Sequence, residues 1–154
     1  MEKAKIRSFR TNLRRFERLL ESQIRDACFC MGVSMAQCHL LLEIEDQGET
    51  TAAVLSESMG LDKSTLSRTI DCLVGCGLAE RREHPDDRRY TLLTLTEQGR
   101  KKCAEINLVN DKYYENIFRL IPEDKHEEVI RSFGSLVDSL MQDNAERKKQ
   151  DKCS

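Results

Sequence analysis

The sequence predicts a mainly α fold with a small β-hairpin wing. Three patterns predict it. Apolar residues recur every three or four positions at both ends of the chain, two short helical patterns flank a tight turn between residues 50 and 77, and two strand-like runs at 78–82 and 90–95 enclose a Pro/Asp turn. The composition agrees: of 154 residues, 39% are hydrophobic and 34% charged, with seven Gly and two Pro, as expected of one compact helix-rich domain spanning 1–154.

Ile6, Phe9, Leu13, Phe16, Leu20 and Ile24 form one stripe of a long first helix, opposite Arg7, Arg10, Arg14, Arg15 and Arg18. That stripe needs a partner. Periodicity lapses between Ala27 and Ser34, where Gly32 intervenes and Ser34 can cap a second helix carrying Met35, Cys38, Leu41, Leu42 and Ile44. Gly48 ends it. Thr50 or Thr51 then caps a short helix through Ala53, Val54, Leu55 and Met59 to Gly60, a residue suited to a left-handed exit.

Leu61-Asp62 supplies the turn and the next cap. The following helix buries Leu66, Ile70, Leu73 and Val74, leaving Lys63, Ser64, Thr65, Ser67, Arg68 and Asp71 outward, until Gly75 and Gly77 end it. In the hairpin, His84-Pro85-Asp86-Asp87-Arg88-Arg89 has turn chemistry. After Thr96 a long helix carries Ile106, Val109, Tyr113, Ile117 and Leu120, and a last helix from about Pro122 is expected to bury Val129, Ile130, Phe133, Leu136, Val137, Leu140 and Met141. Residues 146–154 read as a polar, flexible tail.

Net charge is −2, which by itself argues against a nucleic-acid binder, but the charge is unevenly spread. Residues 1–25 hold eight Lys/Arg against three acids, whereas residues 26–60 hold six acids and no Lys/Arg. No run approaches the roughly 20 apolar residues of a membrane span, and the first residues lack an apolar signal core, so a soluble cytoplasmic protein is expected. There is no Gly-rich phosphate loop, nucleophile elbow or His/carboxylate group at catalytic spacing, so no enzyme is indicated.

Two short helices about a tight turn, the second with a polar outer face, form a helix-turn-helix whose second helix can lie in the DNA major groove. Ser64, Thr65 and Ser67 are short enough to permit close approach to phosphates and base edges, and Lys63 and Arg68 supply charge and donors. Arg88 and Arg89 near the hairpin tip make a basic wing suited to an adjacent backbone or narrow minor groove.

The run Leu61 to Arg68, then Leu73-Val74 and Gly77-Leu78, then His84 to Arg89 leading into Leu95-Thr96-Glu97-Gln98-Gly99, resembles the MarR-type winged-helix regulators. Order and spacing agree over about residues 34–100. The resemblance implies a winged helix-turn-helix core at 34–97, flanked by dimerisation helices at 1–30 and 98–145 that interlock with a second copy. It also implies that Asp87 orients Arg89 into the minor groove while Arg88 contacts backbone. The function so implied is a homodimeric regulator, usually a repressor, binding double-stranded DNA. Its operator would be a pseudo-palindrome with half-sites about 34–36 Å apart.

Seven cysteines include no CxxC pair, so neither a zinc ribbon nor a thioredoxin-type motif is present. Cys28, Cys30 and Cys38, with His39 beside them, fall where the first helix meets the second. Three converging thiolates would suit a thiophilic ion, arsenite better than zinc, as an effector rather than a required cofactor. Small buried hydrophobes and oxidant-sensing thiols are the other roles for these residues, and a small aromatic ligand is another class of effector. Cys72 and Cys76, four apart, share a helix face.

Overall fold

The computed structural model describes residues 2–83 and 90–151, with the backbone alone for residues 25–31, 148, 149 and 151. The elements run in the order α1 (Lys3–Met31), α2 (Met35–Gln47), β1 (Thr50–Thr51), α3 (Ala52–Met59), α4 (Lys63–Gly75), β2 (Ala79–Glu83), β3 (Thr91–Leu95) and α5 (Glu97–Phe118). A 3-10 turn (Glu123–Lys125) and α6 (His126–Asp151) follow. The fold is mostly helical with a small antiparallel sheet, as the sequence predicts.

The chain divides into two compact units, Met1–Val109 and Asn110–Ser154. In the first, the core is built from Leu40, Leu41 and Ile44 of α2, Leu55 of α3, Leu66, Ile70 and Leu73 of α4, and Leu93 and Leu95 of β3. Cys38 of α2, Leu78, Ala79 of β2, and Cys103 and Ile106 of α5 complete it. α2, α4 and α5 each bury residues three or four apart, the spacing that brings side chains to one face. Ser34 begins α2 with a reciprocal cap: its Oγ accepts from Gln37 N–H, and its own N–H donates to Gln37 Oε1.

β3 is the central strand, paired with β2 from Ala79↔Leu95 to Glu83↔Thr91 and with β1 through Thr50↔Leu93 and Thr51↔Leu92. β1 is an addition to the sequence reading, in which Thr50 and Thr51 served only as caps. Thr51 does both, since its Oγ1 also accepts from Val54 N–H. After β3, Thr96 Oγ1 donates to the Gly77 carbonyl at 2.6 Å and accepts from Gly99 N–H at 3.0 Å, fastening the start of α5 to the end of α4.

In the second unit, His126 Nε2 lies 3.0 Å from the carbonyls of both Phe118 and Ile121. Carbonyls only accept, so this nitrogen carries the proton, and the ring also packs edge-on against Phe118 at 5.1 Å. The final helix begins at His126 because Pro122 opens the short 3-10 turn first. It continues to Asp151, past the expected start of the tail at Glu146. Pairs one turn apart support the extension: Arg147 with Asp143 at 2.8 Å and Gln142 with Glu146 at 3.1 Å.

Burial on α6 departs from expectation. Val129, Ile130, Phe133, Val137, Leu140 and Met141 are exposed, Met141 by 67%. Their spacing marks a packing face, but periodicity does not say which chain supplies the other side. Met35 is exposed as well, whereas Leu40, absent from the predicted stripe, is wholly buried. Both ends of α2 face solvent while its middle is covered by α4, β3 and α5.

Candidate nucleic-acid interface

α3, its turn and α4 are held by local chemistry. Gly60 leaves α3 at φ 63°, in the left-handed region that glycine enters without a Cβ clash. Ser56 Oγ donates to the Leu61 carbonyl at 2.8 Å, closing the turn from inside. Asp62 then caps α4, one carboxylate oxygen accepting from Ser64 N–H, Thr65 N–H and Ser64 Oγ at 3.0, 2.9 and 2.6 Å. These hydrogen bonds hold the Asp62 carboxyl well below the usual carboxylate range.

With Leu66, Ile70 and Leu73 buried, α4 has one possible outward face. Lys63, Ser64, Thr65, Ser67 and Arg68 are all exposed on it, as the sequence predicts. Among the described residues neither Lys63 nor Arg68 is in an ion pair, so both cations remain available to an anionic partner. Asp71, at the edge of this face, is instead bound to Arg81 of β2 at 2.6 Å. This brace ties the hairpin to α4. Nothing in the sequence signals it, because the two residues are ten apart in different kinds of element. Arg82 pairs with Glu80 within β2, and Glu80 also accepts from Thr94 Oγ1 on β3.

The strand pair ends at Glu83↔Thr91 and leads directly into residues 84–89. Asp87, Arg88 and Arg89 lie outside the described residues. The expected thiol site divides. Cys28 and Cys30 belong to the stretch of α1 whose side chains lie outside the description, Cys38 is 5% exposed within the core, and His39 next to it is exposed. Adjacent helical positions point about 100° apart, which is why Cys38 and His39 do not face one point. Among the described residues no three His, Cys, Asp or Glu side chains form a group able to hold a metal ion.

The other described cysteines are of two kinds. Cys103 is buried in α5, its thiol 3.5 Å from the Leu41 carbonyl, and burial with the nearby charges of Glu45 and Asp46 pushes its pKa up to about 12. Cys72 and Cys76 are exposed at the end of α4.

Comparison with known proteins places this geometry. Residues 33–91 match the model of the MarR family. A stretch of 75 residues is 37% identical to an uncharacterized protein of Mycobacterium tuberculosis, covering 49% of this chain and 52% of that protein. The Multiple antibiotic resistance protein MarR of Escherichia coli is 28% identical over 102 residues, covering 66% of this chain and 63% of MarR. YdgJ of Bacillus subtilis, described as an uncharacterized HTH-type transcriptional regulator, is 27% identical over 84 residues, covering 54% and 51%. The matched region thus spans about half the length of several of these curated relatives.

Among solved structures, a MarR transcriptional regulator from Methanosarcina mazei superposes with a TM-score of 0.74 at 22% identity, covering 91% of this chain and 99% of that one. A mutant MarR of E. coli in complex with operator DNA gives 0.70 at 20% identity, covering 88% and 95%. At these identities the likeness is one of fold. Over residues 33–91 the chain is similar to the MarR family, and its fold is that of the MarR-type structures.

Proposed function

We propose that this chain is a DNA-binding transcriptional regulator that acts as a homodimer, most simply as a repressor. The outward face of α4 carries the reading: Lys63, Ser64, Thr65, Ser67 and Arg68 are exposed together, and neither cation among them has an ion-pair partner among the described residues. In the major groove, Arg68 would present its planar donor fork to a base edge or phosphate, and Lys63 a point charge to the backbone. Arg88 and Arg89, oriented by Asp87, would continue the contact from the hairpin tip. That a relative of the same fold has been crystallised with operator DNA supports this reading.

The homodimer rests on exposed apolar faces at both ends of the chain. Ile6, Phe9 and Leu19 on α1 and Ile130, Leu140 and Met141 on α6 are between 38% and 69% exposed, a large apolar surface for one soluble chain to leave in water. A second copy related by a two-fold axis would cover the same faces on both chains.

The operator and the effector are tested together. A hydroxyl-radical footprint on the duplex upstream of the chain's own coding sequence should show two protected patches about one helical turn, roughly 34–36 Å, apart. A single patch contradicts the dimer, and none contradicts DNA binding. Repeating the footprint with arsenite tests Cys28, Cys30 and Cys38 as a thiophilic-ion site. Because Cys38 sits in the core, ligation there would have to displace α2, and an effector shifts DNA affinity only through such a difference between two states. Protection unchanged by saturating arsenite removes that effector.

A further inference from the structure

We infer that Cys72 and Cys76 form a two-sulfur site for a soft, thiophilic d10 cation such as Hg(II) or Cu(I). Among the described thiols these two are on the surface, whereas Cys38 and Cys103 are buried. Cys76 caps the end of α4, and its N–H donates to the Cys72 carbonyl at 2.9 Å, the hydrogen bond of an intact last turn. Their Cβ atoms therefore stand at the separation of helical neighbours four apart, about 5–6 Å. A disulfide needs about 3.5–4.5 Å between Cβ atoms, so it would require this turn to deform. A linear dithiolate with metal–sulfur bonds of about 2.3 Å needs its sulfurs about 4.6 Å apart, within reach of both side chains by rotation about χ1.

Two further observations narrow the ligand. Because no group of three potential ligands exists among the described residues, the pair offers two sulfurs where structural zinc requires four donors; soft cations are satisfied by two thiolates. Gln37 also donates from Nε2 to Cys72 Sγ at 3.0 Å, while its Oε1 is held at 2.7 Å by the Ser34 N–H in the cap of α2. That amide is fixed from one side and aimed at the sulfur from the other. Binding involves no electron transfer: each thiol releases its proton, and both sulfur lone pairs bond to one cation. The product bridges the last turn of α4.

The test uses Hg(II) and the full-length chain, with Cys28, Cys30 and Cys153 replaced by Ser and Cys38 and Cys103 left in place. After exposure to Hg(II) in excess reduced glutathione, which strips singly held mercury, native mass spectrometry should count one Hg(II) per chain. Adding Cys72→Ser or Cys76→Ser should reduce the count to zero with unchanged far-UV circular dichroism. Should the triple replacement fail to fold, the same comparison in the otherwise native chain decides, the Cys72→Ser/Cys76→Ser protein holding one Hg(II) fewer. Mercury retained equally without either thiol, or not retained by a folded protein that has both, overturns the site.

Discussion

A methyl group at Gly99 would lie 1.9 Å from the carbonyl oxygen of Leu78 and 3.4 Å from Leu95 Cβ. The first contact is with backbone, which has no rotamer to yield. Gly99→Ala should therefore force the start of α5 away from the strand it abuts and lower stability by about 3 kcal/mol, near the top of the range for overpacking. Urea unfolding of the two proteins measures it, and equal midpoints would contradict the packing described. At Asp62 the effect is electrostatic. Its carboxyl is held below its unfolded value, so its contribution is fully present above about pH 4 and fades as pH falls towards the folded value. Asp62→Asn should remove part of the acid dependence of stability while leaving stability near neutral pH less affected than Asp62→Ala does. Identical acid profiles for native and Asn proteins would contradict it. Asp62 was legible because a cap is a relation between near neighbours. Gly99 was legible only as part of a resemblance, since Leu78 is brought to it by the fold.

Among the elements, α4 separates its apolar residues from its polar groups and thiols by face. Leu66, Ile70 and Leu73 turn inward, and Cys72 and Cys76 lie outside with the proposed DNA contacts. Iodoacetamide should accordingly label Cys72 and Cys76 in the native protein, and Cys38 and Cys103 only after unfolding, as read by peptide mass mapping. For Cys103 two causes act together: no access, and a thiol that stays protonated because its pKa is pushed up to about 12. Labelling of Cys103 at the rate of Cys72 would contradict its burial. Helix ends were legible wherever a cap stands in the sequence, as at Ser34, Gly48, Gly60 and Asp62. β1 was not, because two threonines are too short a run to show a period. The Asp71–Arg81 brace was hidden for a related reason: it depends on how β2 lies against α4.

For the molecule as a whole, the exposed apolar faces of α1 and α6 and the cationic face of α4 make separate demands on a partner. The first should be met by a second copy. Sedimentation of the native protein at micromolar concentration should give a dimer, and Ile130→Glu with Leu140→Glu should shift it towards monomer. A native monomer would contradict the proposed assembly. The stripes were legible from periodicity, but their partner was not, since three- and four-residue spacing says only that a face is covered. The second demand carries the account. Its most direct test is fluorescence anisotropy of the upstream duplex, titrated with native and Arg68→Ala proteins at several salt concentrations. DNA binding through α4 predicts saturable binding that weakens linearly with salt on logarithmic axes, and a loss of about 1–3 kcal/mol, roughly 5- to 150-fold, for Arg68→Ala. Equal affinity of the two proteins, or binding indifferent to salt, would contradict it.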